Sequence, residues 1–275
     1  MATRAVAYLV VAVLGGACAS GSRELHGAAL GPATEAGQAA ALCEKGDWAG
    51  CNDLGTIYGA GEGVPKDEAR AVALFEKACE AGNADGCANL GTMFSDGRGV
   101  SEDEARAVVL YQRACDAGNA NGCANLGTMV ADGKGVTRDD ALAERLYRKA
   151  CDGDDADGCY ELGQLFLDGR GVPQNSALAE ALFQKACARD SSAGCNSLGV
   201  MYSQGQGVPV DAARARLLFE QACNADDTEG CFNLGLLYEK GLGVPKDAAR
   251  AAGFFRKACA GGDAEGCQQS KTGPR

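Results

Sequence analysis

The cysteines of this chain lie on a regular lattice. Fourteen of its fifteen cysteines fall into seven pairs; the two members of a pair are eight positions apart, and successive pairs are 36 positions apart. A sustained period of this length is typical of a repeat array, because each repeat is one supersecondary unit that buries its apolar face only against its neighbours. The pairs are Cys43 and Cys51, Cys79 and Cys87, Cys115 and Cys123, Cys151 and Cys159, Cys187 and Cys195, Cys223 and Cys231, and Cys259 and Cys267.

Six full units can be written along the lattice, at roughly 47–82, 83–118, 119–154, 155–190, 191–226 and 227–262. Each has the pattern G-C-x-x-L-G-x-x-(Y/F/V)-x-x-G-x-G-V, then an acidic residue or Asn, then A-x-x-L-(F/Y)-x-x-A-C, with Phe254 in place of the second leucine in the last unit. Residues 41–46 match only the end of a unit, and residues 265–267 match only the start of one. We expect these fragments to cap the two ends of the array.

Each unit is predicted to contain two helices and no strand. In the first unit, Leu54 and Tyr58, and then Ala71 and Phe75, have the spacing of one helix face. The glycine-rich turn and Pro65 separate the two helices, and an N-cap residue begins the second. The predicted N-caps are Asp67, Asp103, Asp139, Asn175, Asp211 and Asp247.

A glycine recurs inside the first helix of every unit. Glycine in a helix interior costs about 1 kcal/mol relative to alanine, so its repetition in register predicts that two helices cross closely there. The positions are Gly55, Gly91, Gly127, Gly163, Gly199 and Gly235.

These motifs resemble the Sel-like repeat, a relative of the tetratricopeptide repeat, in the cysteine-paired form of the Helicobacter cysteine-rich proteins. The resemblance covers about residues 36–268, and mitochondrial intermembrane-space assembly factors are a eukaryotic counterpart. It implies an all-α, right-handed α/α superhelical solenoid of six full 36-residue helix-turn-helix repeats plus capping fragments. It also implies an exported scaffold that binds other proteins or cell-envelope components, and some relatives are described as penicillin-binding proteins with weak β-lactamase activity.

Counting decides between two ways of pairing the cysteines. Pairing at a separation of 28 leaves Cys43 and Cys267 unmatched, whereas pairing at a separation of eight uses all fourteen. The sequence therefore predicts seven local disulfides that join the second helix of one unit to the first helix of the next. So dense a set of cysteines is typical of an oxidising compartment. No C-x-x-C motif is present, and neither a metal site nor a cofactor is predicted.

Export is predicted from the first 19 residues. Arg4, a ten-residue apolar run at 5–14 and a small-residue cleavage region resemble a secretory signal more than an amphipathic mitochondrial transit peptide. Cys18 is either the lipid-accepting residue of a lipoprotein signal or part of an ordinary A-x-A cleavage site. Residues 20–33 are predicted to be a flexible linker, 34–270 the solenoid and 271–275 a tail. The protein is expected to be exported, as a periplasmic protein or an outer-membrane lipoprotein, or alternatively to be secreted.

Charge and composition argue against several classes of partner and of catalytic site. A net charge of −11 disfavours nucleic acid and anionic membranes as partners, which leaves a membrane contact only through a lipid at Cys18. The single histidine, His26, precedes the repeats, which excludes a Ser-His-Asp or Cys-His site within them. The nucleophile motif S-x-x-K of serine β-lactamases is absent, and K-T-G at 271–273 stands alone. No catalytic residue is predicted, and β-lactam hydrolysis is implied by the resemblance only.

A polar stripe on the first helices is the predicted binding surface. The scaffold itself is expected to be a monomer. The stripe residues are three and four positions apart, opposite the apolar face. Asn side chains both donate to and accept from an extended peptide, so the stripe predicts a protein or peptide ligand, or a peptidoglycan-related component. A merely solvated helix face is the alternative. The predicted groove residues are Asn89, Thr92, Asp96, Asn125, Thr128, Asp132, Asp168 and Asn233, with Tyr160 and Phe232 as aromatic anchors.

The export and disulfide predictions are tested together by intact mass of the native exported protein, measured with and without reduction. We expect cleavage near Cys18 and a gain of fourteen hydrogens on reduction, because each of the seven disulfides takes up two. The same spectrum shows whether a lipid is attached. Reduction without a gain in mass would contradict the disulfide prediction.

Overall fold

The computed structural model describes residues 34–272, which form fourteen α-helices and no strand. The second helices of the units alternate with the first helices along the chain. The helices are α1 (Glu35–Glu44), α2 (Trp48–Ala60), α3 (Glu68–Glu80), α4 (Ala84–Asp96), α5 (Glu104–Asp116), α6 (Ala120–Asp132), α7 (Asp140–Asp152), α8 (Ala156–Asp168), α9 (Ser176–Cys187), α10 (Ser192–Gln204), α11 (Ala212–Asn224), α12 (Thr228–Lys240), α13 (Ala248–Ala260) and α14 (Ala264–Thr272). The predicted all-α solenoid is therefore confirmed.

The ends of the helices follow from local sequence. Asp67 accepts a hydrogen bond from the Arg70 backbone N–H at 2.9 Å, and the five equivalent N-caps of second helices do the same. First helices are capped as well, for example by Asn83, which accepts from Gly86 at 2.6 Å. Each first helix ends at a glycine in the left-handed region, such as Gly61 with φ of 78°, where a side chain would be strained.

An aromatic ring on the second helix explains the glycine inside the first helix. A Cβ added at Gly163 would lie 2.6 Å from Cε1 of Phe183, whose side chain is fully buried. The close contact is thus between a helix backbone and a ring. The same contact recurs in all six units, with Phe75, Tyr111, Tyr147, Phe183, Phe219 and Phe255 against their glycines.

All seven predicted disulfides are present, with Cα–Cα distances of 4.4 to 4.6 Å. Such close spacing requires a small residue beside the bridge. The glycine that precedes the second cysteine of each pair meets this need: a Cβ at Gly86 would lie 2.7 Å from the Cβ of Ala78. The G-C dipeptide is therefore a packing requirement of the joint between units. The bridges are Cys43–Cys51, Cys79–Cys87, Cys115–Cys123, Cys151–Cys159, Cys187–Cys195, Cys223–Cys231 and Cys259–Cys267.

The disulfides lie inside the joints between units and not on the surface that a ligand could reach. In the first six bridges every cysteine is at most 6% exposed, and only the last bridge, Cys259–Cys267, is half-buried. The cysteines are therefore structural residues, unlike the polar residues predicted to line a groove. The most deeply buried members include the second cysteine of each of the first six pairs, namely Cys51, Cys87, Cys123, Cys159, Cys195 and Cys231, each at most 3% exposed.

Contacts between units set the curvature of the stack. Each first helix from α2 to α10 also packs against the first helix of the following unit, whereas successive second helices do not pack together in this way. Because the first helices are close together and the second helices are farther apart, the stack curves with the first helices on its inner side.

The two ends of the array depart from the repeat. In α14, Lys271 stands where a full unit has the glycine that receives the ring, and Ser270 stands where it has leucine. In α1, Ala39 stands where a full unit has the ring itself. The incomplete units therefore act as caps, as predicted.

The predicted signal at 1–19, with Cys18, and the predicted linker at 20–33 lie outside the described residues. Among the helices of residues 34–272, none has both the length and the apolar character needed to cross a bilayer.

Replacing Gly163 with alanine tests the contact between glycine and ring. We expect Gly163→Ala to lower the free energy of unfolding by about 1–3 kcal/mol, because the new methyl group overpacks against Phe183. Gly253, inside α13, is the matched control: its added Cβ would meet only Nη2 of Arg256, at 4.0 Å. Gly253→Ala should gain up to about 1 kcal/mol from helix propensity. Denaturant unfolding of the oxidised proteins measures both, and equal stabilities would contradict the packing explanation.

Candidate binding surface on the inner helices

The predicted stripe residues of neighbouring first helices do lie side by side. Thr56 of α2 and Asn89 and Thr92 of α4 line one depression of about 200 Å³, together with Arg98 from the following turn. At the other end of the array, Phe232 and Asn233 line a depression of about 370 Å³ with acidic residues of α12 and α14. Stripe residues of neighbouring first helices therefore share a depression at each end of the array.

A ladder of polar side chains links the first helices at both ends of the array. The Nδ2 of Asn89 donates to Oδ1 of Asn52 in the preceding unit at 2.8 Å. The Nδ2 of Asn233 donates to Oδ1 of Asn196 at 2.9 Å, in the same geometry. We call these links the inter-unit ladder. Two of the three predicted peptide-binding asparagines thus already hold neighbouring units together.

The inter-unit ladder is interrupted in the middle of the array. The positions equivalent to Asn52 are occupied by Ala88 in α4 and Ala124 in α6, both buried. As a result, Asn125 bonds to Asn121 of its own helix at 2.9 Å. Neither a hydrogen bond nor an ion pair links the Glu161 carboxylate to another described residue. Neither Asn125 nor Glu161 therefore bonds to the preceding unit.

Burial raises the pKa of Glu161. The side chain is half-buried, and desolvation is the main reason that its pKa is raised; Asp132 and Asp157 raise it further, while Arg170 lowers it. Desolvation disfavours the charged form of a carboxyl group. A positively charged group of a ligand would stabilise the charged carboxylate of Glu161 and offset the cost of its burial.

The threonines of the stripe are bonded to tyrosines of the second helices. Tyr147 donates to Thr128 at 3.2 Å, and Tyr111 and Thr92 are hydrogen-bonded at 3.1 Å. Burial raises the pKa of Tyr147 to about 12, so its hydroxyl is protonated at neutral pH. In these two units the ring that packs on the glycine also fixes a hydroxyl pair at the inner surface.

Three aspartates form a row at the ends of α4, α6 and α8. Asp96, Asp132 and Asp168 are all exposed and occupy the last position of their helices, where the helix dipole disfavours negative charge. Asp132 pairs with Lys134 at 3.2 Å, and Asp168 approaches Arg170 at 3.8 Å. The row belongs to the same central units in which the ladder is interrupted.

The predicted aromatic anchors are partly occupied by packing. Tyr160 is half-buried, with its ring centroid 5.9 Å from that of Phe183, and its hydroxyl lies 3.4 Å from Nε2 of Gln164. Phe232 is also half-buried, with its centroid 5.5 Å from that of Phe255. Their role as anchors for a ligand stays a prediction. In the described part of the chain, His, Cys, Asp and Glu side chains form no group of three or more placed to hold a metal ion.

Sequence reasoning missed the inter-unit ladder. It placed Glu161 on the polar stripe but did not select it as a groove residue. Each hydrogen bond of the inter-unit ladder joins one residue to the residue 37 positions later. A comparison of equivalent positions in successive units, which are 36 apart, does not detect such pairs. The pairing of tyrosine with threonine at a separation of 19 was readable in the same way.

The chain matches the Sel1 repeat over six consecutive segments, 48–83, 84–119, 120–155, 156–191, 192–227 and 228–263. These begin one residue after the units written from the cysteine lattice, and together they span more than half of the chain. No curated protein sequence matches it significantly.

Several solved structures are similar. One is c5321 of uropathogenic Escherichia coli, a protective antigen with an SLR fold, which is 32% identical with a TM-score of 0.70; the match covers 85% of this chain and 50% of that one. This chain thus spans about half the length of the E. coli protein. A Sel1 repeat protein from Oxalobacter formigenes is 23% identical with a TM-score of 0.72 and coverages of 82% and 96%.

Helicobacter pylori cysteine rich protein B is 34% identical, with a TM-score of 0.40, over 48% of this chain and 96% of that one. The match of the six repeats is what decides the family. The chain belongs to the Sel1 repeat family.

Proposed function

We propose that this chain is an exported, disulfide-stapled Sel1 repeat scaffold that binds an extended polypeptide segment on its inner surface. The binding site is centred on α4, α6 and α8. The observation that supports this most strongly is the interruption of the inter-unit ladder at Ala88 and Ala124. It leaves Asn125 and Glu161 without the bond to the preceding unit that Asn89 and Asn233 make.

The chemistry of the central units favours a peptide that carries a basic side chain. The amide of Asn125 can bond to an extended backbone, which makes no demand on sequence. The unpaired carboxylate of Glu161, with Asp132 near enough to raise its pKa, would be stabilised by a cationic group. A peptidoglycan-related component is the alternative ligand. Its peptide portion would bind to the same groups as an extended polypeptide segment.

The proposal of export rests on the disulfides. Seven bridges in one chain are typical of proteins that fold in an oxidising compartment. A lipid anchor at Cys18 stays part of the proposal. Weak β-lactam hydrolysis stays a hypothesis from resemblance alone, and a chromogenic β-lactam assay on the purified, oxidised protein separates it from the scaffold function.

Site-specific photo-crosslinking in producing cells tests the position of the binding surface. We expect a photoreactive amino acid at Asp132, on the inner side, to give adducts with a partner. The matched control is Val109, which lies on the second helix α5 and is 59% exposed. Adducts from Val109 but not from Asp132 would refute the inner-surface proposal.

For a captured partner, we expect Asn125→Ala combined with Glu161→Gln to weaken binding at least roughly tenfold, equivalent to about 1.4 kcal/mol.

Glu161→Gln should also change stability in a way that depends on pH. Because the folded-state pKa of Glu161 is raised above its unfolded value, its favourable contribution is fully present below the unfolded pKa and is lost as pH rises through the folded pKa. The variant should therefore be more stable than the parent at pH 7 and should lose this advantage below the unfolded pKa. Thermal unfolding at the two pH values measures the difference. A variant less stable at pH 7 would show that Glu161 has a structural partner.

A further inference from the structure

The outer side of the array contains a repeated site for a cation. In four of the second helices, a basic residue two positions before the cysteine reaches the carbonyl at the end of the preceding second helix. There Arg113 donates to the carbonyl of Cys79 at 3.0 Å, and Lys149 donates to that of Cys115 at 2.6 Å. The C-terminal end of a helix carries partial negative charge and stabilises a cation. Lys185 and Lys257 donate to the carbonyls of Cys151 and Cys223 in the same way.

In the later units a carboxylate completes this site. Asp154 and Asp226 follow the second helix in the left-handed region, with φ of 67° and 60°, where earlier units have glycine. Asp154 lies 3.7 Å from Nζ of Lys185, and Asp226 lies 3.1 Å from Nζ of Lys257. The ammonium group is therefore held between a helix-end carbonyl and a carboxylate.

Between α9 and α11 the helix-end carbonyl and the carboxylate are both present, but the basic residue is replaced. We call each such contact between successive second helices a junction. Gln221 stands where the other second helices have lysine or arginine, and its Nε2 lies 3.5 Å from the Cys187 carbonyl, a long contact. Asp190 keeps the left-handed conformation, with φ of 63°, and is exposed. No ion pair joins it to another described residue. Asp190 thus keeps the conformation of Asp154 and Asp226 without the ion pair that those two aspartates make with a lysine.

A depression of about 440 Å³ opens at this junction. Cys187, Ala188 and Gln221 line its acceptor end, and Leu198, Leu217 and Leu218 line its apolar wall. Leu217 is 56% exposed. The depression therefore has the helix end at Cys187 on one side and apolar side chains beside it.

Arg214 lines the opposite end of the depression. It lies seven residues before Gln221 on α11, which is about 10 Å along the helix axis. Its guanidinium pairs with Asp211 at 3.3 Å and donates to the Tyr202 hydroxyl at 3.1 Å. Its charge is thus compensated locally and does not oppose a cation near Gln221.

We propose that this depression binds the side chain of a lysine from a partner polypeptide. The ammonium group occupies the position that the chain's own lysines occupy at equivalent junctions, bonded to the Cys187 carbonyl and paired with Asp190. The methylene stem lies along Leu217 and Leu218, where apolar contact with a lysine stem is favourable. This surface is on the outer side of the array and is independent of the inner groove.

Titration with N-acetyl-lysine methylamide, followed by amide NMR of the oxidised protein, tests the proposal. We expect roughly millimolar, saturable shifts confined to residues around 187–190 and 217–221, because a single side chain in a half-open site binds weakly. The neutral probe N-acetyl-norleucine methylamide should cause none. n-Butylammonium has the same head group and stem without a backbone. It should therefore bind about as tightly as the lysine probe, and a failure of n-butylammonium to bind would overturn the assignment of the site to a lysine side chain.

Two variants make the test specific. Gln221→Lys supplies an internal ammonium group, as at the other junctions, so it should abolish binding of the probe while raising the unfolding temperature. Asp190→Asn should weaken binding about tenfold, in line with the loss of a hydrogen bond to a charged group. Asp152→Asn, an exposed residue before another junction loop, is the charge-matched control and should have no effect. Unchanged binding in Gln221→Lys, or no saturable binding in the parent, would overturn the proposal.

Discussion

The close approach of each second helix to the following first helix is the contact on which the remaining structure depends. It holds Cα atoms within 4.6 Å across every disulfide, and it is possible only because glycine precedes the second cysteine. Once this distance is fixed, the relative direction of neighbouring units is fixed too. The inner packing of first helices and the separation of second helices follow from the same joint, repeated along the chain.

Much of the fold was predictable from sequence because its causes are local. The cysteine pairing, the N-caps such as Asp67 and the incomplete end units all depend on residues close together in the chain, and the structure confirms them. The helix glycines were recognised as sites of close contact. That the partner is an aromatic ring depends on how the two helices are rotated, which periodicity does not specify.

The candidate site was less accessible to sequence reasoning. Asn89 and Asn233 have the residue type expected of a peptide-binding groove, but the geometry between units turns them into structural links. Glu161 was placed on the polar stripe but was not selected as a groove residue, because its importance comes from the absence of a partner on the neighbouring helix, at Ala124. In a repeat array, the residues that depart from the repeat are those that packing does not explain. Here they identify two candidate binding sites, one in the central units on the inner side and one at the Gln221 junction on the outer side.

The burial of the bridges has a consequence for their chemistry. Both sulfurs of the Cys79–Cys87 bridge lie in side chains that are almost completely shielded from solvent, whereas Cys259 and Cys267 at the last joint are half-buried. Thiol–disulfide exchange needs a thiolate to reach a sulfur atom. A reductant would therefore meet an accessible bond only at the C-terminal cap, and each inner bridge would become reachable as the unit beyond it opened. The array would come apart sequentially, and the rate of its loss in a reducing compartment would be governed by fraying from one end.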